Sequence, residues 1–295
     1  MNFSRVIPGL TLIVLGTCMQ LPGPVLLADD GTYKEVGRTT ERELNVVLSS
    51  SFGSMYISKG ESEKILTVDG GPDKTEDPRM SIDYSIRNRI GYADISFGGD
   101  AKEGDHKNGW FNTNRFKGDK WFLRFSDAIP ISFDIELGVG KAQINLSDLQ
   151  VKDFNLSTGA SEVEISFDTP NKSSIDNLNI ESGVSKFSGH NLANANFKHF
   201  KFQGGVGAYT LDFSGKLENE VDVDVEVGFG VVTIVVPKDV GARVTYEKSW
   251  ISRLECARDF HSTNDDQYIS DNYSSAAGKM NIRVESGLGS VKIKR

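Results

Sequence analysis

IELGVGKAQINL (135–146), FQGGVGAYTLDF (202–213) and VEVGFGVVTIVV (225–236) are three settings of one unit. An alternating strand runs into a glycine, an apolar residue follows, and a second alternating strand leaves. LSTGASEVEISF (156–167), IESGVSKFSG (180–189) and VESGLGSVKIKR (284–295) are further copies. Their anchor glycines are Gly138, Gly159, Gly183, Gly205, Gly228 and Gly287, with spacings of 21, 24, 22, 23 and 59 residues. A near-constant step of 21–24 residues is the signature of coils that stack because none can bury its apolar face alone. Glycine fits the junction because it tolerates positive φ and puts no side chain where coils lie close. The residues after the anchors (Val139, Ala160, Val184, Val206, Phe229 and Leu288) are expected to stack as an apolar column inside.

The intervening chain is β as well. SFDIEL (132–137), SEVEISF (161–167) and EVDVDVEV (220–227) alternate apolar and polar residues, the pattern of half-buried strands. NLSDLQVKDFNL (145–156) partly imitates a leucine-rich repeat. No helical segment fits between copies, however, and asparagine does not recur at a fixed position. The expected fold is therefore an all-β, single-chain β-solenoid, right-handed and parallel β-helix-like. Residues 119–295 form the solenoid domain, and 32–118 a smaller N-terminal β domain or atypical first coils. The 59-residue gap needs two coils plus an excursion. Residues 247–279, with Trp250, Phe260, Tyr268 and Tyr273, are expected to close the end, because an open sheet edge pairs with other chains.

The first 28 residues differ. Arg5 is their only charge, an apolar run spans Val6–Leu15, and Ala28 precedes Asp29-Asp30. This reads as a secretory signal peptide over 1–28. Pro8, Pro22 and Pro24 leave no clean membrane span. Leu15-Gly16-Thr17-Cys18 also resembles a lipoprotein cleavage box, with Cys18 as the lipid anchor. Removing the segment takes the formal charge from −8 to −9 and leaves Cys256 as the one remaining cysteine. An acidic chain lacks the basic footprint of a nucleic-acid binder.

Three stretches carry a resemblance to a known family: 120–167 (KWFLRFSDAIPISFDIELGVGKAQINLSDLQVKDFNLSTGASEVEISF), 268–295, and ERELNVVLSSSFGSMYISKG at 41–60. They resemble the exported β-solenoid "toastrack" domains, found as the C-terminal part of LiaF-like cell-wall-active antibiotic response proteins and in related bacterial adhesins. The resemblance implies a role at the cell envelope, in sensing or interaction, and supplies no catalytic residues. The membrane-helix block of the LiaF-like plan is missing, with a signal in its place.

Motifs for chemistry are sparse. His106, His190, His199 and His261 show no metal-ligand spacing, and no cofactor is called for. Asn264-Asp265-Asp266 carries calcium-type oxygens but lacks the loop spacing of an EF-hand, and reads as a turn. No G-x-S-x-G elbow or phosphate loop occurs, and Ser182-Gly183 and Ser286-Gly287 belong to the repeat. Asp134 with Glu136, or Glu162 with Glu164, could pair as carboxylates on one face, as glycoside chemistry needs. Trp110, Trp121 and Trp250 could form sugar platforms. Glu220, Asp222, Asp224 and Glu226 share one strand face and form a candidate acidic interaction face. The chain is expected to be a non-catalytic exported envelope protein, periplasmic or at the cell surface, that binds an envelope protein or glycan. A self-assembling scaffold and a carbohydrate-active enzyme (polysaccharide lyase or hydrolase) on a β-helix are the alternatives.

Overall fold

The computed structural model describes residues 26–29, 33–70, 80–98, 120–247, 251–264 and 266–295. The expected signal up to residue 25, Cys18, His106, Trp110, Trp250 and Asp265 lie outside the described residues. The chain forms β1 (Leu26–Asp29), β2 (Tyr33–Gly37), β3 (Glu43–Lys59), β4 (Lys64–Gly70), β5 (Met80–Arg87), β6 (Ile90–Phe97) and β7 (Lys120–Phe125). It continues through β8 (Pro130–Asn145), β9 (Gln150–Ser166), β10 (Ile175–His190), β11 (Phe197–Asp212) and β12 (Glu220–Val235). It ends with β13 (Gly241–Glu247), β14 (Ile251–Cys256), β15 (Phe260–Asn264), β16 (Gln267–Ser270) and β17 (Lys279–Lys294).

The long strands stack in parallel in the order β3, β8, β9, β10, β11, β12, β17. Each is bent at its glycine into a leading arm and a trailing arm. In β8, Ile131, Phe133, Ile135 and Leu137 are buried before the bend, and Ala142 and Ile144 after it. Buried positions are odd-numbered in the first arm and even-numbered in the second, so the bend shifts the alternation by one residue. A short turn leads back to the next leading arm, and the two arms enclose the core. Aromatic rings fill it from coil to coil. Phe125 meets Phe133 at 5.1 Å and Phe187 meets Phe202 at 5.2 Å. Full burial of one such ring contributes about 1.5–3 kcal/mol.

The shift in alternation overturns the expected inner column. Val139, Val184, Val206, Phe229 and Leu288 are exposed, by 53%, 63%, 44%, 50% and 37%, and Ala160 is exposed with them. They stack in register, but outside. The inner rows come instead from residues two places before and three places after, such as Leu137 and Ala142 around Val139 and Val227 and Val232 around Phe229.

The anchor glycines are held by coil spacing and not by φ, since none has positive φ. A Cβ on Gly205 would stand 2.7 Å from the Gly183 carbonyl oxygen, and one on Gly228 3.0 Å from that of Gly205. Positive φ falls two residues later, at Gly140 and Gly230.

The ends of the stack are built from split coils. β6 pairs with the leading half of β3 and β7 with its trailing half, on the edge opposite β8. Antiparallel β5 covers β6, and β4, β2 and β1 follow on from β7. The division at 118/119 is thus crossed by β3 pairing along Leu44–Ile57 with β8. At the other end β13 and β14 form one split coil against β17, and β16 and β15 extend β13. The long gap therefore holds one coil and a hairpin, not two coils. The closing element is present, but β17 slots between β12 and the split coil.

The turn edge is tied by asparagine. Buried Asn171 donates from Nδ2 to the Val151 carbonyl at 2.7 Å and the Ala195 carbonyl at 3.1 Å, and its Oδ1 accepts the Val151 N–H at 2.9 Å. One side chain thus links three successive coils. Asn194 donates to the Phe167 carbonyl at 2.8 Å and accepts the Lys216 N–H at 2.9 Å.

Candidate interaction surface

Because the coils pair position by position, any residue type repeated at one place becomes a row across the surface. Two residues before the anchor glycine the copies carry Glu136, Ser157, Glu181, Gln203, Glu226 and Glu285. The pairing sets all six side by side. Strands in a sheet lie about 4.8 Å apart, so the row is about 24 Å long. The glycines beside it leave bare backbone. The result is a groove of about 570 Å³, walled by Ser157, Glu181, Gln203, Glu226 and Glu285 and floored by glycines of the anchor column. A second hollow of about 420 Å³ adjoins it, where Asp134, Asn155, Asn179 and Lys201 form the next row outward. Carboxylates, amides and hydroxyls facing one trough can exchange hydrogen bonds with a ligand lying across the coils.

The structure places Glu220, Asp222, Asp224 and Glu226 outward on β12, where neighbouring strands answer their charge. Asp222 faces His199 Nδ1 at 3.4 Å, and the Asn281 amide donates to Glu220 at 2.9 Å and to Asp222 at 3.3 Å. Gln203 donates to Glu226 at 2.7 Å. Asp224 is in register with Lys201 and Arg283, and Arg283 pairs with Glu247 at 2.6 Å. Glu226 alone of the four walls the groove.

Glu162 lies between Lys141 at 2.8 Å and Lys186 at 3.1 Å, and their hydrogen bonds hold its carboxyl below the usual range. That environment favours the ionised form, the reverse of what a general acid needs. Glu164 faces His190 at 3.6 Å, and His261 faces Asp271 at 2.5 Å. No group of three or more metal-ligating side chains occurs among the described residues. Asn264 accepts the Asp266 N–H at 3.1 Å, a turn contact. Trp121 is buried against Phe97 with ring centroids 4.6 Å apart, so it offers no sugar platform. Cys256 is half-buried, and burial pushes its thiol up to about 11.

A family model described as the N-terminal domain of toast_rack, DUF2154, matches residues 28–190 and again 171–235. The chain belongs to the toast_rack family. The double match falls on the repeated coils of this toast_rack chain. A crystal structure of a candidate cell adhesion protein from Clostridium sporogenes ATCC 15579 is similar at 21% identity and a TM-score of 0.45, covering 89% of this chain and 97% of that one. A candidate adhesin from Bacteroides fragilis NCTC 9343 is similar at 13% identity and a TM-score of 0.36, covering 88% and 95%. No curated protein matches the toast_rack chain. Among the described residues no helix is long and apolar enough to cross a membrane.

The row of Glu136, Ser157, Glu181, Gln203, Glu226 and Glu285 was within reach of the sequence. It stands in one column when the copies are aligned on glycine. Reading Glu220–Glu226 along a single strand hid it, because the surface is organised across strands.

Proposed function

We propose that the chain is an exported, non-catalytic envelope protein that binds an extended glycan in the groove across its leading arms. One observation carries this reading: five consecutive coils present a carboxylate, amide or hydroxyl at the same position, bordering one trough. Such groups match the hydroxyls of a polysaccharide, and a rigid stack holds them in place before binding. Preorganisation of this kind lowers the entropic cost of association.

The test is titration of the purified protein with soluble envelope polysaccharide, followed by calorimetry. Binding is expected, with a loss of about tenfold or more in Glu181→Ala/Gln203→Ala, two wall positions each worth about a hydrogen bond to the ligand. Absence of binding, or full binding by that variant, overturns the proposal. Release of sugar products would make the chain a carbohydrate-active enzyme instead. Capture of an envelope protein in place of glycan would also refute it.

Export is read through the signal, with mature chains starting at Asp29. A cut there removes Leu26–Ala28 from β1. Mass spectrometry of the exported chain distinguishes an Asp29 terminus from an acylated Cys18.

A further inference from the structure

The exposed corner residues form a second surface, which borders the groove wall at Glu181. Phe52, Val139, Ala160, Val184, Val206, Phe229, Leu288 and Ile251 occupy one register position from coil to coil. All are exposed, up to 66% at Ile251. Coil packing explains the glycines around them but not their own apolar character. A serine or threonine at the corner would meet the same backbone demands and keep the ridge wetted. Eight apolar corners in succession therefore mark a surface that is covered in use.

The ridge is about 34 Å long, from seven steps of about 4.8 Å. It widens at β12, where Val231 is 44% exposed two residues beyond Phe229. Val139, Val206, Phe229 and Leu288 each stand between two glycines, so bare strips flank the knobs. A second ridge of the same kind fits such a surface, its knobs resting on the strips of the first.

Charge gives the orientation. In β8 the sequence across the corner is Glu136, Val139, Lys141, and in β10 it is Glu181, Val184, Lys186, with all six side chains exposed. In these two coils the acidic group precedes the ridge and the lysine follows it, while β9 between them places Glu162 after the ridge, bridging Lys141 and Lys186 and leaving that flank with a net positive charge. A two-fold axis parallel to the stack exchanges the flanks. Glu136 of one copy then faces Lys141 of the other, Glu181 faces Lys186, and both contacts occur twice. An axis across the stack would set glutamate against glutamate. We propose that two copies of the chain associate in parallel, ridge against ridge, about a dyad running along the solenoid. A contact strip about 15 Å wide buries about 1,000 Å² in total, at the lower edge of specific interfaces, so the dimer is of micromolar strength. The contact is isologous and closes at two copies.

Sedimentation velocity on the purified protein, from about 1 to about 200 µM, tests this over the range set by that affinity. A monomer–dimer equilibrium is expected. Val184→Lys/Val206→Lys should raise the dissociation constant about tenfold or more at an unchanged thermal midpoint, since both sites are exposed. Glu181→Lys should weaken the dimer, and Glu181→Lys/Lys186→Glu should recover it, while Glu162 keeps Lys141. A monomer throughout, association unaffected by the valine changes, growth beyond two copies, or no recovery in the swap each overturns the proposal. Glu181 serves both surfaces, but glycan binding uses neither valine, so Val184→Lys/Val206→Lys fails or succeeds independently of the groove titration.

Discussion

Alanine substitutions at Gly228, Gly205 and Gly207 should destabilise the chain in that order, because each puts a Cβ nearer to the neighbouring coil. The new carbon would lie 3.0 Å from the Gly205 oxygen, 2.7 Å from the Gly183 oxygen and 1.9 Å from the Ser185 oxygen, respectively. Ordinary contact begins at 3.4 Å. The obstacle in each case is a backbone carbonyl inside a parallel ladder. It can move only if the pairing of β10 with β11, or of β11 with β12, opens. Overpacking of this kind costs about 1–3 kcal/mol. Against it stands a gain of about 0.4–1 kcal/mol, because alanine restricts the unfolded chain more than glycine does. Gly228→Ala should therefore be near neutral, Gly205→Ala should lose about 1–2 kcal/mol, and Gly207→Ala about 3 kcal/mol or more. Gly205→Val should exceed Gly205→Ala, because its γ-carbons must also find room. Urea unfolding followed by circular dichroism reads the series as midpoints, with Val206→Ala as the neighbouring exposed control. A Gly207→Ala chain that unfolds at the parent midpoint, or a Gly228→Ala chain less stable than Gly207→Ala, would refute the stacked-corner argument.

Three further outcomes follow from side chains. Asn171→Ala removes the bonds to Val151 and Ala195 and leaves three buried backbone groups without them, so a loss of about 2–3 kcal/mol is expected in the same urea assay. The Cys256 thiol, pushed up to about 11, should react with iodoacetamide at pH 8 roughly a hundredfold more slowly than a free thiol of pKa about 8.5, because so little of it is thiolate. A rate equal to the free thiol would mean that the C-terminal split coil opens readily. Asp127 accepts from Ser62 at 2.6 Å and pairs with Lys59 at 2.9 Å, which hold its carboxyl below the ordinary range. Its contribution is thus present above the unfolded-state pKa and is lost as pH falls through the lower folded value. Acid titration of stability should show a shallower decline in Asp127→Asn than in the parent, and identical profiles would remove Asp127 from the account.

The coil period was legible because parallel pairing repeats every feature at the same place. The anchor glycines and the inner faces of SFDIEL and EVDVDVEV could be read directly from spacing and alternation. The corner residues could not. Val139 follows an alternation that predicts burial only if the strand stays straight, and the glycine bend moves the phase by one residue. Asn171 and Asn194 were missed as coil ties because they share a column that asparagine occupies in only these two of the described coils, while other turn asparagines such as Asn145 and Asn196 bond from different positions, so no regular column announces them. The place of β17 was also hidden, since sequence order gives β12 then β13, and the pairing of Val225 with Val284 exists only in three dimensions.

That insertion bears on how copies can meet. β17 pairs with β12 along its full length on one edge, and with β13 and β14 on the other. The split coil therefore docks on a strand made from the last residues of the chain, and the stack cannot simply continue past it. β13 is then covered by antiparallel β16, which changes the strand direction that another coil would need. β14 carries Arg253 and Glu255 between its partly buried positions, and charged edge residues discourage strand addition. At the opposite end, β5 and β4 are antiparallel to the coils they cover. Parallel coil-on-coil growth is thus blocked at both ends of the solenoid. The flank, where the corner ridge lies, is the surface left for the proposed association between copies.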